Sequence, residues 1–221
     1  VRHRITLDAG LPEPGAEQIN QSRQYDDLLL AQIHALYNAN LFTSLGAIIT
    51  SLTFWLAYLL YTGDRHILFW AAVVHATQAG RWVVRWAYHR DDRAWQRIRV
   101  WRQRFMIGLF LAALAWGSAP LVLLPNDDLA MVCLMMLVLL GMGSGGMGVI
   151  VAYRPAIITW LLPLMLPLPI LLLWHHGPLH QALAIFAVAH LGVNLVFAFG
   201  QNELLVKALG AQFDNAELVA Q

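Results

Sequence analysis

The sequence predicts an all-α, polytopic membrane protein: six transmembrane helices paired as three antiparallel hairpins, both termini cytoplasmic, and a C-terminal cytoplasmic signalling helix. Three observations carry this. Of 221 residues, 59% are hydrophobic and only 12% charged, against about a quarter charged in a soluble domain. Six apolar segments each approach the roughly 20 residues that take a helix across about 30 Å of hydrocarbon. The arginines crowd into one of the links between those segments. Lys plus Arg total 14 and Asp plus Glu 13, so charge gives no reason to expect a nucleic-acid partner; the expected partner is the lipid bilayer. The single cysteine, Cys133, lies in an apolar run and permits no intrachain disulfide.

Residues 1–35 read as a polar cytoplasmic segment. No basic stretch leads directly into a short apolar one, so no cleaved signal peptide is expected. Within QYDDLLLAQIHALY, Leu29, Ile33 and Leu36 recur at helical spacing, with Asp26 and Asp27 in the first turn. That pattern fits a short interfacial amphipathic helix, or an extension of the first span.

Residues 36–200 hold the spans, at about 37–61, 67–88, 105–124, 129–150, 156–174 and 181–200. The links are short, which favours antiparallel neighbours. TGDRH, PNDD and HHGPLH fall on one side; HRDDRAWQRIRVWRQR and the YRP turn fall on the other, with both termini. Arg90, Arg93, Arg97, Arg99, Arg102 and Arg104 lie in the second link, whereas Arg65 is the only Lys or Arg of the three opposite loops. The positive-inside rule then places both termini in the cytoplasm.

Segment GMGSGGMG contains Gly141, Gly143 and Gly146 in the G-x-G-x-x-G spacing of a dinucleotide-binding loop. Its context is wrong for one. The preceding LAMVCLMMLVLL is too long for a typical buried strand, position 166 is Leu, and the next carboxylate is Glu203. The same residues read as small-xxx-small, Gly141 with Gly145 and Ser144 with Gly148, and predict a tight helix contact at Gly141, Gly145 and Gly148. The expected partner is the fifth span, PAIITWLLPLMLPLPI, where Pro163 and Pro167 remove backbone donors and should kink the helix. The freed carbonyls need protein or a wet cavity to cover them, so this helix should lie against others and can shape an internal pocket. Pro120 adds a second expected kink, in the third span.

Polar residues at membrane depth are costly and therefore candidates for function. They are His75, Gln78 and Arg81 in the second span, Trp116 and Ser118 in the third, and His190 and Asn194 in the sixth. His75 and His190 fall at a similar depth, roughly 13–15 Å from the outer helix ends. Such a pair can bind haem iron or another metal, line a ligand pocket, or hydrogen-bond between helices. No carboxylate or thiolate at ligand spacing joins them, so no metal and no cofactor is expected, with haem through His75 and His190 kept as an alternative. Arg81 and Arg85 are expected to snorkel to the cytoplasmic interface. His175, His176 and His180 read as a solvated outer loop, with a metal or pH sensor as the other reading.

Catalytic residues are not expected. No H-E-x-x-H, Walker loop, nucleophile elbow or buried carboxylate pair occurs. The carboxylates lie at helix ends, in loops or in tails, which argues against a proton-coupled transporter. Residues 201–221 continue as a helix, with Leu204, Ala211 and Leu218 seven apart and Ala208 and Asn215 between them. This spacing suits a parallel dimer, and the pattern running to Gln221 predicts a cytoplasmic output domain beyond it.

RFMIGLFLAALAWGSAPLVLLP, GMGSGGMGVIVAYRPA, the prolines of PLMLPLPI and the closing FDNAELVAQ together resemble the six-span N-terminal sensory modules of bacterial hybrid histidine kinases, quorum-sensing kinases among them, and of some diguanylate cyclases. The resemblance covers most of residues 25–221. It implies a homodimeric receptor in the bacterial inner membrane that detects a small, fairly apolar signal and passes it through the C-terminal helix to a kinase or cyclase. His75, Gln78, Trp116, Ser118, His190 and Asn194 are the positions expected to line the pocket. Two other classes stay open: a small transporter or channel, for which no inverted repeat or buried ion site is visible, and a haem-linked redox protein.

Overall fold

A computed structural model describes residues 14–38, 41–123, 128–174 and 177–220, and every one of its regular elements is helical. They are α1 (Pro14–Tyr37), α2 (Leu41–Thr62), α3 (His66–Arg90), α4 (Ile98–Gly117), α5 (Ala119–Leu123), α6 (Leu129–Gly145), α7 (Met147–Ile150), α8 (Arg154–Met165), α9 (Pro167–Trp174) and α10 (Pro178–Ala220). A single 3₁₀ turn, Ala94–Arg97, precedes α4. Five helical stretches are long and apolar enough to cross a membrane: Leu45–Thr62, Ala94–Leu123, Leu129–Ile150, Arg154–Trp174 and Pro178–Gln212. Their outward faces are apolar too, with Ile49, Leu60, Leu137 and Val196 more than half exposed. Such a surface is compatible with lipid and costly in water.

The expected second span, α3, is helical over 25 residues but is not among these five. It differs from the other five in polarity, because His75, Gln78 and Arg81 sit in its middle.

Element ends follow local chemistry. Gly63 adopts φ 70°, the left-handed conformation that favours glycine, and closes α2 by donating its N–H to the Leu59 carbonyl. The Asp64 carboxylate then accepts from the backbone N–H and the ring Nδ1 of His66 at the start of α3. These bonds hold the Asp64 carboxyl below its ordinary pKa, the backbone N–H of His66 contributing most. Asp128 caps α6 by accepting from the amides of Ala130 and Met131. Pro155 occupies the first turn of α8, where its missing N–H is harmless.

Two of the expected kinks are present as helix breaks, beside Pro120 and Pro167, whereas Pro163 sits inside an unbroken α8. The third expected span is α4 plus α5, parted at Ser118 two residues before Pro120; the fifth is α8 plus α9, parted at Leu166 beside Pro167. The third also begins earlier than expected, since RIRVWRQR is helical rather than loop. At the first break the Ala115 carbonyl accepts from Trp70 Nε1 at 2.9 Å and from Ser118 Oγ at 2.8 Å. At the end of α5 the Leu123 carbonyl accepts from Tyr58 OH at 2.6 Å. Side chains thus cover backbone acceptors that the broken helix leaves open.

Helices α4 and α8 form the centre of the bundle, with Ala112, Ala113, Ala156, Ile157, Leu161 and Leu164 almost wholly buried. Gly117 meets the Pro163 carbonyl so closely that a Cβ there would collide with it. That carbonyl is the one whose helical donor, four residues on, would be Pro167. α3 packs on α4, α2 on α3 and α6, and α10 on α6, α8 and α9.

The apolar stripe of α1 takes an unexpected partner. Leu29, Ile33, Leu36 and Tyr37 are buried against Tyr88, Ile98, Trp101 and Ala152, so protein rather than lipid covers them. α1 ends at Tyr37 and α2 begins at Leu41; residues 39 and 40 lie outside the described residues. The sixth span and the exit segment that follows it form one 43-residue helix.

Candidate functional site

Polar groups inside the bundle sort onto different helix pairs. His75 faces Ser51 on α2, with Nε2 3.5 Å from its hydroxyl. His190 faces Ser144 on α6, with Nε2 3.1 Å from that hydroxyl. Ser144 Oγ in turn donates to Asn194 Oδ1 at 3.1 Å, and Asn194 Nδ2 donates to the His190 carbonyl at 2.8 Å. One proton arrangement satisfies the whole chain: His190 Nε2–H to Ser144, Ser144 O–H to Asn194. The two histidines therefore serve separate contacts, one α2–α3 and one α6–α10. Among the described residues, no group of three or more His, Cys, Asp or Glu is placed to hold a metal ion.

Trp116 and Ser118 are also structural. Trp116 is buried and meets Trp70 edge to face at 5.4 Å between centroids, while the Ser118 hydroxyl is occupied by the Ala115 carbonyl. Neither lines a cavity large enough for a ligand among those described. Of the six expected pocket residues, Gln78 alone lines one. His180 stands in the first turn of α10; His175 and His176 lie outside the described residues.

The cavity itself lies between α2, α3, α6 and α8 and measures about 470 Å³, within the roughly 300–1,000 Å³ typical of small-molecule sites. Leu109, Leu137, Val138 and Met142 make it mostly apolar. Thr50, Gln78 and Arg81 supply its polar groups, and the Trp160 ring adds to its wall. Arg81 reaches it because Gly108 on α4 leaves room for its stem: the Arg81 Cγ lies 3.3 Å from where a Cβ of residue 108 would stand. Its guanidinium donates to Gln78 Oε1 at 3.4 Å. The sequence suggested snorkelling for Arg81, but the packing turns it into the wall. Trp160 is buried, and its indole N–H has no partner; a Cβ on Gly146, also in the cavity wall, would strike it.

Glycines floor this space. Gly141 and Gly145 line the cavity, and no atom comes within 4 Å of a Cβ position at Gly141, Gly145 or Gly148. The tight seam expected at these three is thus corrected. α6 and α7 approach the fifth span through the neighbouring face instead, Gly143 against Met165 and Gly146 against Trp160. Space and not contact is what Gly141 and Gly145 provide.

A second constellation escaped the sequence reading. Tyr37 stacks on Tyr88 at 4.0 Å, donates its hydroxyl to the Trp101 carbonyl at 2.9 Å, and meets Phe105 edge-on. Trp101 Nε1 donates to Asp91 Oδ2 at 3.0 Å. That bond, with the backbone N–H of Arg93, holds the Asp91 carboxyl below the ordinary carboxylate range. The cluster clamps α1 onto the ends of α3 and α4. Nearby, buried Asn202 donates to the Val151 carbonyl at 2.7 Å and ties α10 to the turn before α8.

Comparison with known protein families, curated proteins and solved structures finds no match to this chain. The functional reading rests on the chain's own geometry.

Proposed function

We propose that this chain is the membrane-embedded sensory module of a bacterial two-component histidine kinase. In this reading α3 is a true span, so six helices cross the inner membrane as three hairpins and both termini are cytoplasmic. The cavity at α2, α3, α6 and α8 admits a small, fairly apolar signal. α10 carries the response outward and pairs with a second copy to drive the output domain. A diguanylate cyclase is the alternative output, since the exit helix serves either.

One observation carries the reading: cavity floor and exit-helix contact share one turn of α6. Gly141 and Gly145 face the cavity, and Ser144 between them is hydrogen-bonded to His190 and Asn194 of α10. A ligand pressing on the glycine floor moves Ser144, and with it the helix that leads to the cytoplasm. Its length supports the role, because 43 residues extend about 65 Å, twice the hydrocarbon thickness.

Disulfide cross-linking between copies along positions 201–212, in native membranes and a Cys133→Ser background, tests this. Cross-linked positions should recur every three to four residues, and filling the cavity with Gly145→Trp should change the pattern. Uniformly weak cross-linking, unchanged by Gly145→Trp, would overturn the proposal.

A further inference from the structure

The cavity walls also bear on what the signal is. Next to the 470 Å³ space lies a smaller one of about 60 Å³, reached past Gln78, Arg81 and Val149, which line both. Arg81, Arg85 and Arg104 all line the small space, and no carboxylate lines either one. Arg104 also interacts with Asp91 outside it, and Arg81 has only the amide oxygen of Gln78. Cations at membrane depth normally pair with an anion or a carbonyl, because an unpaired charge there costs several kcal/mol. An apolar chamber with an arginine-lined annexe matches a molecule that has an anionic head and one apolar tail.

We infer that the ligand is a single-chain amphiphilic carboxylate, its head held by Arg81 with Arg85 and Arg104 behind it, and its chain in the larger cavity. The inference rests on the reading of this cavity as the signal site. Depth selects a free acid over the headgroup of a bilayer phospholipid. With α3 taken as a span, Arg81 lies nine residues from its Arg90 end, about 13 Å along the axis and below the headgroups. A two-chain lipid would have to drag its phosphate into hydrocarbon; a single-chain acid enters whole. The guanidinium can take the carboxylate in two parallel N–H···O bonds.

Equilibrium binding of decanoate and of decanol to the purified protein in zwitterionic nanodiscs tests it, with added anionic phospholipid as a competitor. Decanoate should bind at least about tenfold more tightly than decanol, as expected for one charge-assisted bond pair. Arg81→Gln should erase that preference by bringing decanoate down to the affinity of decanol; Arg81→Lys should keep part of it and serves if Arg81→Gln fails to fold. Equal binding of both amphiphiles would overturn the carboxylate assignment and leave the cavity standing as a sensor site. Displacement of decanoate by a few anionic phospholipids per nanodisc would overturn it in favour of a headgroup site. Binding of neither amphiphile would remove the proposed signal site as well.

Discussion

Pro167 has no N–H to give the Pro163 carbonyl, and Gly117 is where that carbonyl comes to rest. The contact sits at the α4–α8 centre and tolerates no side chain. Gly117→Ala should therefore destabilise the folded protein by about 1–3 kcal/mol or more, as overpacking does. Gly145→Ala, which meets open cavity, should leave thermal unfolding in detergent nearly unchanged. Equal loss at both positions would contradict the assignment of seam and floor. The contrast shows what was legible at this scale. Glycines in an apolar run announce close approach, but which of them touch and which stand clear depends on helix rotation, and a stretch such as GMGSGGMG has small residues on every face. Arg81 was legible as an anomaly, one charge inside an apolar segment. Its direction was not, because Gly108 lies 27 positions away on another helix.

Between elements, the ionised Asp91 carboxylate holds Trp101, one of the residues on which α1 packs. Its folded pKa is depressed, so its contribution is present above the ordinary carboxylate pKa of about 4 and is lost as pH falls through the lower folded value. Asp91→Asn should lower stability at pH 7, measured as the unfolding midpoint, and flatten the loss of stability below pH 4; an acid profile unchanged by the substitution would contradict the clamp. The helices were readable from hydropathy, and the prolines marked the breaks at Ser118 and Leu166. Two features were hidden. The stripe Leu29, Ile33, Leu36 signals an apolar face but not what covers it, and Trp101 and Tyr88, which do cover it, look like interfacial aromatics in sequence. The bond from Asn202 to the Val151 carbonyl, which ties α10 to the turn before α8, was hidden too, because no spacing in the sequence announces it.

At the scale of the whole molecule, polar side chains divide between two tasks. His75, Trp116 and His190, singled out for their depth, meet neighbouring helices, and Ser118 covers a carbonyl of its own span. Gln78 and Arg81 line the cavity, and Trp160, which no polarity signal marked, joins them. A cavity is made by side chains that are absent as much as by those present, so sequence spacing alone could not place it between α2, α3, α6 and α8. Its location matters because the Ser144 bridge binds the same turn of α6 to α10. The most direct test of that coupling is an electron-resonance distance between spin labels at the exposed positions Trp86 on α3 and Leu204 on α10, with excess unlabelled chain in the membrane. Gly145→Trp should shift the distance by about 1–2 Å, the scale of helix displacements in known switches, and adding Ser144→Ala should return it to the unfilled value. One distance shared by all three proteins would contradict transmission from the cavity to the exit helix.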